Sequence, residues 1–394
     1  MTSAGQSAEV VIAGVGTTGC LRRSEESVAT LANRALAGAL ADSGLERGDV
    51  DALFVHIGSP RGLDYDALAR ALALEVAYAS QTWSHGRFLG TVLQHACMVL
   101  REGLGSCALC VGAFRNSPFD RHGTPGFPDF GEAIREERGP HAEQPAVGLL
   151  APIGGAAMAT TRYLDTYGIA REELGAVAMS MREWARDNDA AVMRAPLSAA
   201  EYAKSPPVVE PLRLHDCSVP VDQATAVLLV RAERGGDLAN PPVRVLGFQG
   251  LAAGPNEFVF GRPGLGVNER DSGAYRPPGA GERVFGRAEI GPADVDALYC
   301  YDGFSPQIPW TLERFGFCDP GDGCGAIQNG RIAPGGELPV NTNGGHLAEG
   351  HSNGWGQTVE IVRQLRGQAG RRQVRNCEVA QWATTFGDSI VYAR

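Results

Sequence analysis

The sequence predicts an α/β protein that consists of two similar halves. Its 394 residues exceed the length of one ordinary domain and suit two fused ones. Short apolar runs typical of buried strands alternate with segments that have the apolar spacing of a helix. The pentapeptide Asp-Val-Asp-Ala-Leu occurs at residues 49–53 and again at 294–298, each time before an apolar strand. This repeat indicates one α/β unit used twice. We therefore predict one half over residues 1–235 and the other over 236–394.

The first half begins with a predicted strand at 10–14, followed by the segment Gly14-Val-Gly-Thr-Thr-Gly19. The glycine spacing matches the dinucleotide-binding fingerprint, which requires a helix directly at the glycines and an acidic residue after the next strand. Here the polar segment 21–26 intervenes, and the next strand, 52–57, ends in His56 rather than an acid. A strand followed by a glycine loop is the better interpretation.

Helices and strands continue to alternate along the rest of the chain. The apolar stripe of residues 27–43 predicts a helix that packs on a sheet, with Gly44 as its C-cap. Further predicted helices lie at the end of the segment 83–103 and at 155–167, 171–187, 282–288 and 355–366. Further predicted strands lie at 107–113, at 224–230, at the second copy of the pentapeptide with an end at 299–304, and at 377–384 and 388–393. Residues 115–150 and 253–281 lack periodicity, so we predict long loops there.

Composition argues against several kinds of partner. The hydrophobic content of 44% suffices for buried cores, but no apolar run is long enough to span a membrane. The first residues lack the basic start and apolar core of a secretory signal. A net charge of −10 without a basic block argues against nucleic acid as the main partner. We expect a cytoplasmic enzyme or binding protein.

The nine cysteines do not form a metal-binding pattern. Cys107 and Cys110 make the only Cys-x-x-Cys pair, which lies in an apolar run that predicts a strand. A zinc site needs a second pair of ligands at similar spacing, and none is present, so we expect buried free thiols and no metal. Lys204 is the single lysine, in a polar stretch beside a proline, where it is a poor candidate for Schiff-base chemistry.

Two glycine-containing segments just before helices are candidates for chemistry. In the loop 341–354, Gly344 and Gly345 admit backbone conformations that let a ligand approach closely. His346 and His351 in the same loop can act as acid, base or hydrogen-bond donor near neutral pH. The alternative is a glycine-rich turn whose histidines are only polar surface.

The second segment, Ser84-His-Gly86, lies before the helix that ends near Gly103. A helix N-terminus attracts developing negative charge and suits a nucleophile or an oxyanion site. The alternative is a plain core helix in which His95 is a satisfied polar group.

Taken together, these segments resemble the thiolase superfamily, most strongly the sterol-carrier-protein-x thiolases and the lipid-transfer branch. The matching pieces, spread over the whole chain, are Asp49-Val-Asp, Glu102-Gly-Leu, Pro211-Leu-Arg-Leu-His-Asp-Cys217, Tyr301-Asp-Gly-Phe304, Asn341-Thr-Asn-Gly-Gly345 and Gly350-His351. The resemblance implies a thiolase fold with two similar halves in a five-layered αβαβα arrangement. It also implies a homodimer, and CoA thioester substrates bound beneath a loop region at about 115–210.

The sequence departs from a working thiolase at the nucleophile. Thiolases carry a cysteine at the start of the helix after Trp83, and the corresponding position here is about Gly86, beside which no thiol occurs. Cys97 lies about three helical turns further along. The second thiolase cysteine would fall near Thr385–Asp388 and is also missing. Covalent acyl transfer therefore has no evident nucleophile, and Gly86 opens space where an acyl-cysteine would sit.

The remaining site residues suit a different reaction. Tyr301 stands where thiolases place the Asn or His of the oxyanion hole, and a phenol can donate a hydrogen bond or exchange a proton. His351 is the retained thiolase histidine, and His346 is an additional one. His346 and the backbone N–H groups near Gly344, Gly345 and Gly387 would be supporting donors in the catalytic site. This pattern resembles the steroid side-chain-cleaving aldolases of the superfamily, although those tend to carry a tyrosine at the position of His351.

The resemblance implies retro-aldol cleavage of a β-hydroxyacyl-CoA into a carbonyl compound and a shortened acyl-CoA. Tyr301 and His351 would move the protons, in either order, and coenzyme A would enter only as part of the substrate, with no permanently bound cofactor. Related enzymes work with a small partner that has an OB fold and a zinc ribbon, so we expect such a partner here.

Two other functions stay open on the sequence alone. One is a thiolase or acyltransferase with an unrecognised cysteine, and the other is a non-catalytic subunit of an acyltransferase complex. In the second case Tyr301 would only cap the core at a strand end, and His351 would only hold its loop.

Overall fold

The fold is described by a computed structural model over residues 9–57, 63–83, 88–116, 151–254, 257–259, 262–263 and 281–394. Gly86 and most of the two predicted loops, 115–150 and 253–281, lie outside these described residues. The helices are α1 Val28–Ser43, α2 Tyr65–Ala71, α3 Leu89–Arg101, α4 Pro152–Tyr167, α5 Gly175–Arg186, α6 Ala199–Lys204, α7 Glu282–Ala288, α8 Gln307–Arg314, α9 Gly323–Ala326, α10 Gly345–Ala348 and α11 Trp355–Leu365. The strands are β1 Val10–Thr17, β2 Ala52–Ile57, β3 Tyr78–Trp83, β4 Cys107–Arg115, β5 Pro207–Val209, β6 Leu212–Arg213, β7 Asp222–Arg231, β8 Val243–Gln249, β9 Phe258–Val259, β10 Arg262–Pro263, β11 Ala297–Cys300, β12 Val379–Ala383 and β13 Ser389–Ala393.

The main sheet consists of two half-sheets with the same strand order. Its nine strands run β11-β12-β13-β8-β1-β7-β4-β2-β3. From the middle outwards, the first half has β1, β7, β4 and β2, and the second half has β8, β13, β12 and β11. In each half the first two pairings are antiparallel and the third is parallel. The halves meet where β1 pairs with β8, and the chain passes from one to the other between β7 and β8.

The repeated pentapeptide has the same structural role in both halves. In each copy the first aspartate closes a 3₁₀ turn, because Asp49 accepts the N–H of Glu46 and Asp294 accepts the N–H of Gly291. The second aspartate holds the start of the neighbouring parallel strand. Asp51 accepts the N–H groups of Ser106 and Cys107, and Asp296 accepts those of Glu378 and Val379. The repeat therefore sets the register between two parallel strands in each half.

The helices and the two half-sheets form the expected five layers. Helices α3 and α11 pack against strands of both half-sheets and form the middle layer. Helix α1 covers the outer face of the first half-sheet, and α7 covers the outer face of the second. Phe54 belongs to the core between the half-sheets, whereas Leu53 belongs to the outer core of the first half. Because successive residues of a strand face opposite sides, each strand contributes to two cores.

The predicted glycine loop after residue 14 is wrong. Strand β1 continues through Gly14 and Gly16 to Thr17. A Cβ atom at Gly14 would collide with the carbonyl oxygen of Ala39, and one at Gly16 with that of Ala35. These glycines let helix α1 pack very closely on the strand.

Other elements were not predicted. Strands β3 and β8 and helix α8 lie in segments to which we assigned no element from the sequence. The predicted helix over 171–187 begins as a 3₁₀ turn, Arg171–Leu174, and becomes α-helical only from Gly175.

We expect Asp51→Ala and Asp296→Ala each to lower the free energy of unfolding by about 1–3 kcal/mol, because each leaves two backbone N–H groups without their acceptor. Urea denaturation followed by circular dichroism measures this loss. Asp165→Ala, at an exposed position of α4, is the control and should change stability by less than about 0.5 kcal/mol. Equal effects of all three substitutions would contradict the assigned role of the repeat.

Candidate active site

The loop 341–354 is fastened to the end of strand β11 by Asn341. Its backbone N–H donates to the carbonyl oxygen of Leu298. Its side-chain oxygen accepts the N–H of Cys300 at 2.8 Å, and its side-chain nitrogen donates to the carbonyl of Cys300 at 3.1 Å. An amide side chain can satisfy both backbone groups of one residue in this way. Asn341 thus places the glycine-rich loop next to Tyr301.

The glycine pair is required for close packing inside this loop. Gly344 and Gly345 both have positive φ, at 100° and 59°. A Cβ atom at Gly345 would collide with Oδ2 of Asp302. The N–H of Gly344 donates to the carbonyl of Asn341 at 2.7 Å, and the N–H of Gly345 donates to Oδ1 of Asn343 at 3.2 Å. These N–H groups are thus bonded within the loop.

The third predicted backbone donor lies in another turn. Gly387 has a φ of 97°, and its N–H donates to the carbonyl of Thr384 at 3.1 Å. The contribution of Gly344, Gly345 and Gly387 to an oxyanion site stays a prediction.

His346 is completely buried together with Asp302. Its Nε2 accepts the N–H of Gly354 at 2.8 Å, so the proton of the neutral ring is on Nδ1. Nδ1 lies 3.0 Å from Oδ1 of Asp302. Both ring nitrogens therefore face protein groups, and this arrangement favours a role in holding the loop.

Tyr301 and His351 are brought together as a pair. Tyr301 follows strand β11 and is 3% exposed. Its hydroxyl oxygen lies 3.2 Å from Nε2 of His351, within hydrogen-bond distance. The ring of His346 packs against both, with its centroid 5.0 Å from each of the other two centroids. The three side chains predicted for catalysis thus form one cluster.

The structure adds Ser218 to this cluster. Its Oγ lies 3.2 Å from Nδ1 of His351, on the side of the ring away from Tyr301. Backbone hydrogen bonds fix its place, because Ser218 N–H donates to the carbonyl of Gly303 and His351 N–H donates to the carbonyl of Val219. Ser218 was not predicted from the sequence, although it directly follows the matched segment 211–217.

His351 is held in its neutral form. Burial, with the ring of His346 as the second cause, lowers the pKa of His351 to about 3, and a hydrogen bond to the Asn353 side chain acts in the opposite direction. At neutral pH the ring therefore has one N–H and one lone pair. It can accept a proton from a neighbour.

No cysteine is prepared to act as a nucleophile. Burial raises the pKa of all nine thiols, to about 12 for Cys97 in the middle of α3. A nucleophilic cysteine needs the opposite shift, because the thiolate is the reactive form. Within the described ranges we also find no group of His, Cys, Asp or Glu side chains that could hold a metal ion.

A pocket of about 180 Å³ adjoins the cluster, with Ser218 in its wall. Arg22, Arg182 and His215 also line it, beside apolar side chains such as Met193 and Leu214. Arg182 is buried, and its pKa is lowered by burial and then by the charge of Arg22. The pKa of His215 is lowered by burial and then by Arg182. The pocket thus combines an apolar lining with mutually repelling basic groups, which suits an anionic ligand.

Known proteins resemble the chain over nearly its full length. It is 30% identical over 370 residues to the steroid side-chain-cleaving aldolase of Thermomonospora curvata, covering 90% of each chain. It is 31% identical over 378 residues to the 17-hydroxy-3-oxo-4-pregnene-20-carboxyl-CoA lyase of Mycobacterium tuberculosis, covering 92% of each. The solved Ltp2-ChsH2(DUF35) aldolase matches with a TM-score of 0.85 and 28% identity over 98% of each chain. Human mitochondrial 3-ketoacyl-CoA thiolase shares the fold, with a TM-score of 0.65 and 16% identity over 98% of each chain.

The fold and the site thus define a member of the thiolase superfamily, and residues 269–389 match the family model for a thiolase C-terminal domain-like region. Within the superfamily, the chain belongs to the family of the steroid side-chain-cleaving aldolases. None of the helices that the structure describes is long and apolar enough to cross a membrane.

We expect His351 to make folding stability depend on pH. In the unfolded chain its pKa is about 6.5, whereas in the folded protein it is about 3. The unfolded chain therefore binds the extra proton between these values, so the stability that His351 contributes is present above pH 6.5 and is lost as the pH falls toward 3. Tyr301 and Ser218 contact the ring without charge, and the carboxylate of Asp302 faces His346 instead.

The measurement is the difference in free energy of unfolding between the native protein and His351→Gln, from urea titrations between pH 7 and pH 4. This difference should shrink as the pH falls. Glu349 and Asp388, whose pKa values burial raises to about 7 and about 6, titrate in both proteins and cancel in the difference. A difference that is constant with pH would contradict the neutral state of His351.

Proposed function

We propose that the protein is a lyase that cleaves a β-hydroxyacyl-CoA thioester of the steroid side-chain type by a retro-aldol reaction. The products are a carbonyl compound and a shortened acyl-CoA. The observation that carries this proposal is the Tyr301–His351 pair, in which the phenol lies 3.2 Å from a neutral imidazole, in a chain whose thiols all have raised pKa values. The names of the two full-length relatives support it.

The reaction needs only proton transfer and a place for negative charge. A base removes the proton of the β-hydroxyl group, the electrons of that O–H bond form the carbonyl, and the Cα–Cβ bond breaks. Its electrons move into the thioester as an enolate, which takes up a proton at Cα. The atoms of substrate and products balance without free CoA, an oxidant or a reductant. Tyr301 and His351 are the groups that we assign to the proton transfers.

We assign the CoA part of the substrate to the basic pocket beside Ser218. Arg22 is exposed, whereas Arg182 is buried. The CoA chain, with its negative and apolar groups, can therefore enter the pocket beside Arg22 and extend toward Arg182. Guanidinium groups bind phosphate through paired hydrogen bonds. Ser218 lines the pocket and contacts His351, so a thioester beside Ser218 would meet the Tyr301–His351 pair.

We further propose that the protein works in the cytoplasm as a homodimer together with a small OB-fold, zinc-ribbon partner. The solved Ltp2-ChsH2(DUF35) aldolase is named for two components, which supports a two-component enzyme. Strand β3 forms one edge of the main sheet, and its exposed residues Ala79 and Gln81 leave that edge accessible to a second chain.

We expect the protein, co-expressed with its partner, to cleave a β-hydroxyacyl-CoA with a tertiary hydroxyl group when no free CoA is added. Mass spectrometry should detect a carbonyl product together with acetyl- or propionyl-CoA. Tyr301→Phe should lower kcat by roughly 100- to 10,000-fold, the range of general acid–base catalysis. Tyr65→Phe, at an exposed position, is the control and should retain activity.

The other two functions predict different results. A thiolase would form products only with free CoA, or would yield a trapped acyl-enzyme. A non-catalytic subunit would leave the activity of the whole complex intact after Tyr301→Phe.

We expect Arg182→Gln to raise the KM for the CoA ester by about tenfold, because a charged partner of the phosphates is lost. The same variant should act normally on the corresponding pantetheine thioester, which has no nucleotide phosphates. Arg186→Gln, exposed on the same helix, is the matched control. A loss that is equal for both substrates would place the CoA elsewhere and indicate a structural role for Arg182.

A further inference from the structure

The neutral ring of His351 has a single N–H group, and its two nitrogens face two hydroxyl groups, in addition to the hydrogen bond with the Asn353 side chain. Nε2 faces the hydroxyl of Tyr301, and Nδ1 faces the hydroxyl of Ser218, each at 3.2 Å. One nitrogen must donate and the other must accept. The position of this proton decides whether Tyr301 donates to His351 or accepts from it, and therefore in which direction protons move during the reaction.

The two neighbours are chemically unequal. A phenol, with a pKa of about 10, is a better hydrogen-bond donor than an alcohol, and an alcohol oxygen is a better acceptor than a phenol oxygen. In the favoured arrangement the phenol of Tyr301, as the stronger donor, faces the lone pair of Nε2. The proton of His351 is then on Nδ1. Ser218 then accepts from Nδ1, and its own hydroxyl proton can turn toward the adjoining pocket.

His346 shows how this loop fixes a histidine tautomer. There the backbone N–H of Gly354 occupies Nε2 and leaves the proton on Nδ1. The two neighbouring rings, with centroids 5.0 Å apart, would thus carry their protons on the same type of nitrogen. The difference is that Nε2 of His346 is used by the main chain, whereas Nε2 of His351 faces a side chain that can give up a proton.

We propose that Ser218 is a positioning residue that holds the proton of His351 on Nδ1 and so makes His351 the base behind Tyr301. This proposal rests on the proposed lyase function and deepens it by fixing the order of the proton transfers. Tyr301 is the group that contacts the substrate, and His351 acts through it.

The resulting sequence is balanced. The β-hydroxyl proton of the substrate moves to the oxygen of Tyr301 while the phenol proton moves to Nε2 of His351, which becomes an imidazolium. The Cα–Cβ bond breaks, giving the carbonyl product and the thioester enolate. The proton on Nε2 then returns to Tyr301, whose phenol proton is delivered to Cα. The hydrogen bond from Nδ1 to Ser218 persists throughout and stabilises the transient charge.

The surroundings of His351 favour the neutral ring at rest, so the imidazolium forms only transiently. On its own loop it meets His346 and Asn353, with Asp302 behind His346. His351 also contacts Tyr301, which lies at the end of β11, and Ser218, which lies in the segment before β7. The basic groups Arg22, Arg182 and His215 line the pocket whose wall contains Ser218.

The first test determines the tautomer directly and needs no substrate. In the protein labelled with ¹⁵N in its histidine rings, the two nitrogens of His351, assigned with His351→Gln, should show a protonated Nδ1 and an unprotonated Nε2. Ser218→Ala should give a mixture of tautomers, and Ser218→Thr, which keeps the hydroxyl, should restore the native pattern. A native protein with the proton on Nε2 would overturn the proposal, whatever its activity.

The second test is kinetic. Ser218→Ala should lower kcat for the CoA ester roughly tenfold to a hundredfold, the loss of one hydrogen bond to a charged group, with KM changed less than about twofold. Ser218→Thr should recover most of kcat. Thr161→Ala, which removes a hydroxyl group at an exposed position of α4 away from the pocket, is the matched control and should keep kcat. If Ser218→Ala changed only KM, or if the control lost as much activity, Ser218 would only line the pocket and the proposal would be wrong.

The two tests separate the possible failures. The expected tautomer in a protein that does not cleave the ester would contradict the lyase function and leave the role of Ser218 in holding His351 intact. Cleavage by a protein with the opposite tautomer would contradict the assigned order and leave the lyase function intact.

Discussion

The buried carboxylate of Asp302 is the interaction on which the site depends. It accepts the backbone N–H of His346 and the side-chain amide of Gln357 in α11, and it lies against Gly345. A buried charge without such partners would cost several kcal/mol, so these groups must stay together. Because Tyr301 directly precedes Asp302, the same contacts that anchor the loop also hold the backbone that carries the Tyr301 phenol. The contacts of Asp302 therefore join the end of β11, the glycine-rich loop and helix α11.

The fold could be predicted where a local pattern has a single physical meaning. The repeated Asp-Val-Asp-Ala-Leu led to the two halves because each aspartate bonds specific backbone N–H groups. The glycines of β1 were misread, because a glycine that admits a close helix has the same sequence appearance as one that makes a turn. Strand β8 was missed because its partners, β1 and β13, lie far away in the chain.

The site was predictable only in part, for a similar reason. Tyr301, His346 and His351 lie in segments that resemble a known family, so their proximity could be expected. Ser218 lies 133 residues from His351, and nothing in its neighbourhood marks it as a partner of a histidine. The neutral state of His351 likewise arises from burial and from a second ring, both properties of the folded chain. Chemistry that depends on long-range contacts has no local signature.

The strand ends that follow the two copies of the pentapeptide differ in the residues they carry. Counting from the pentapeptides, His56 in the first half occupies the position of Tyr301 in the second. There, however, the indole N–H of Trp355 donates to Nδ1 of His56 at 3.0 Å, and His56 is 1% exposed. Trp355, which makes this contact, is the first residue of helix α11, and this helix follows the glycine-rich loop. The end of the first repeated strand therefore binds the helix that follows the glycine-rich loop of the second half, so the two equivalent strand ends make different contacts.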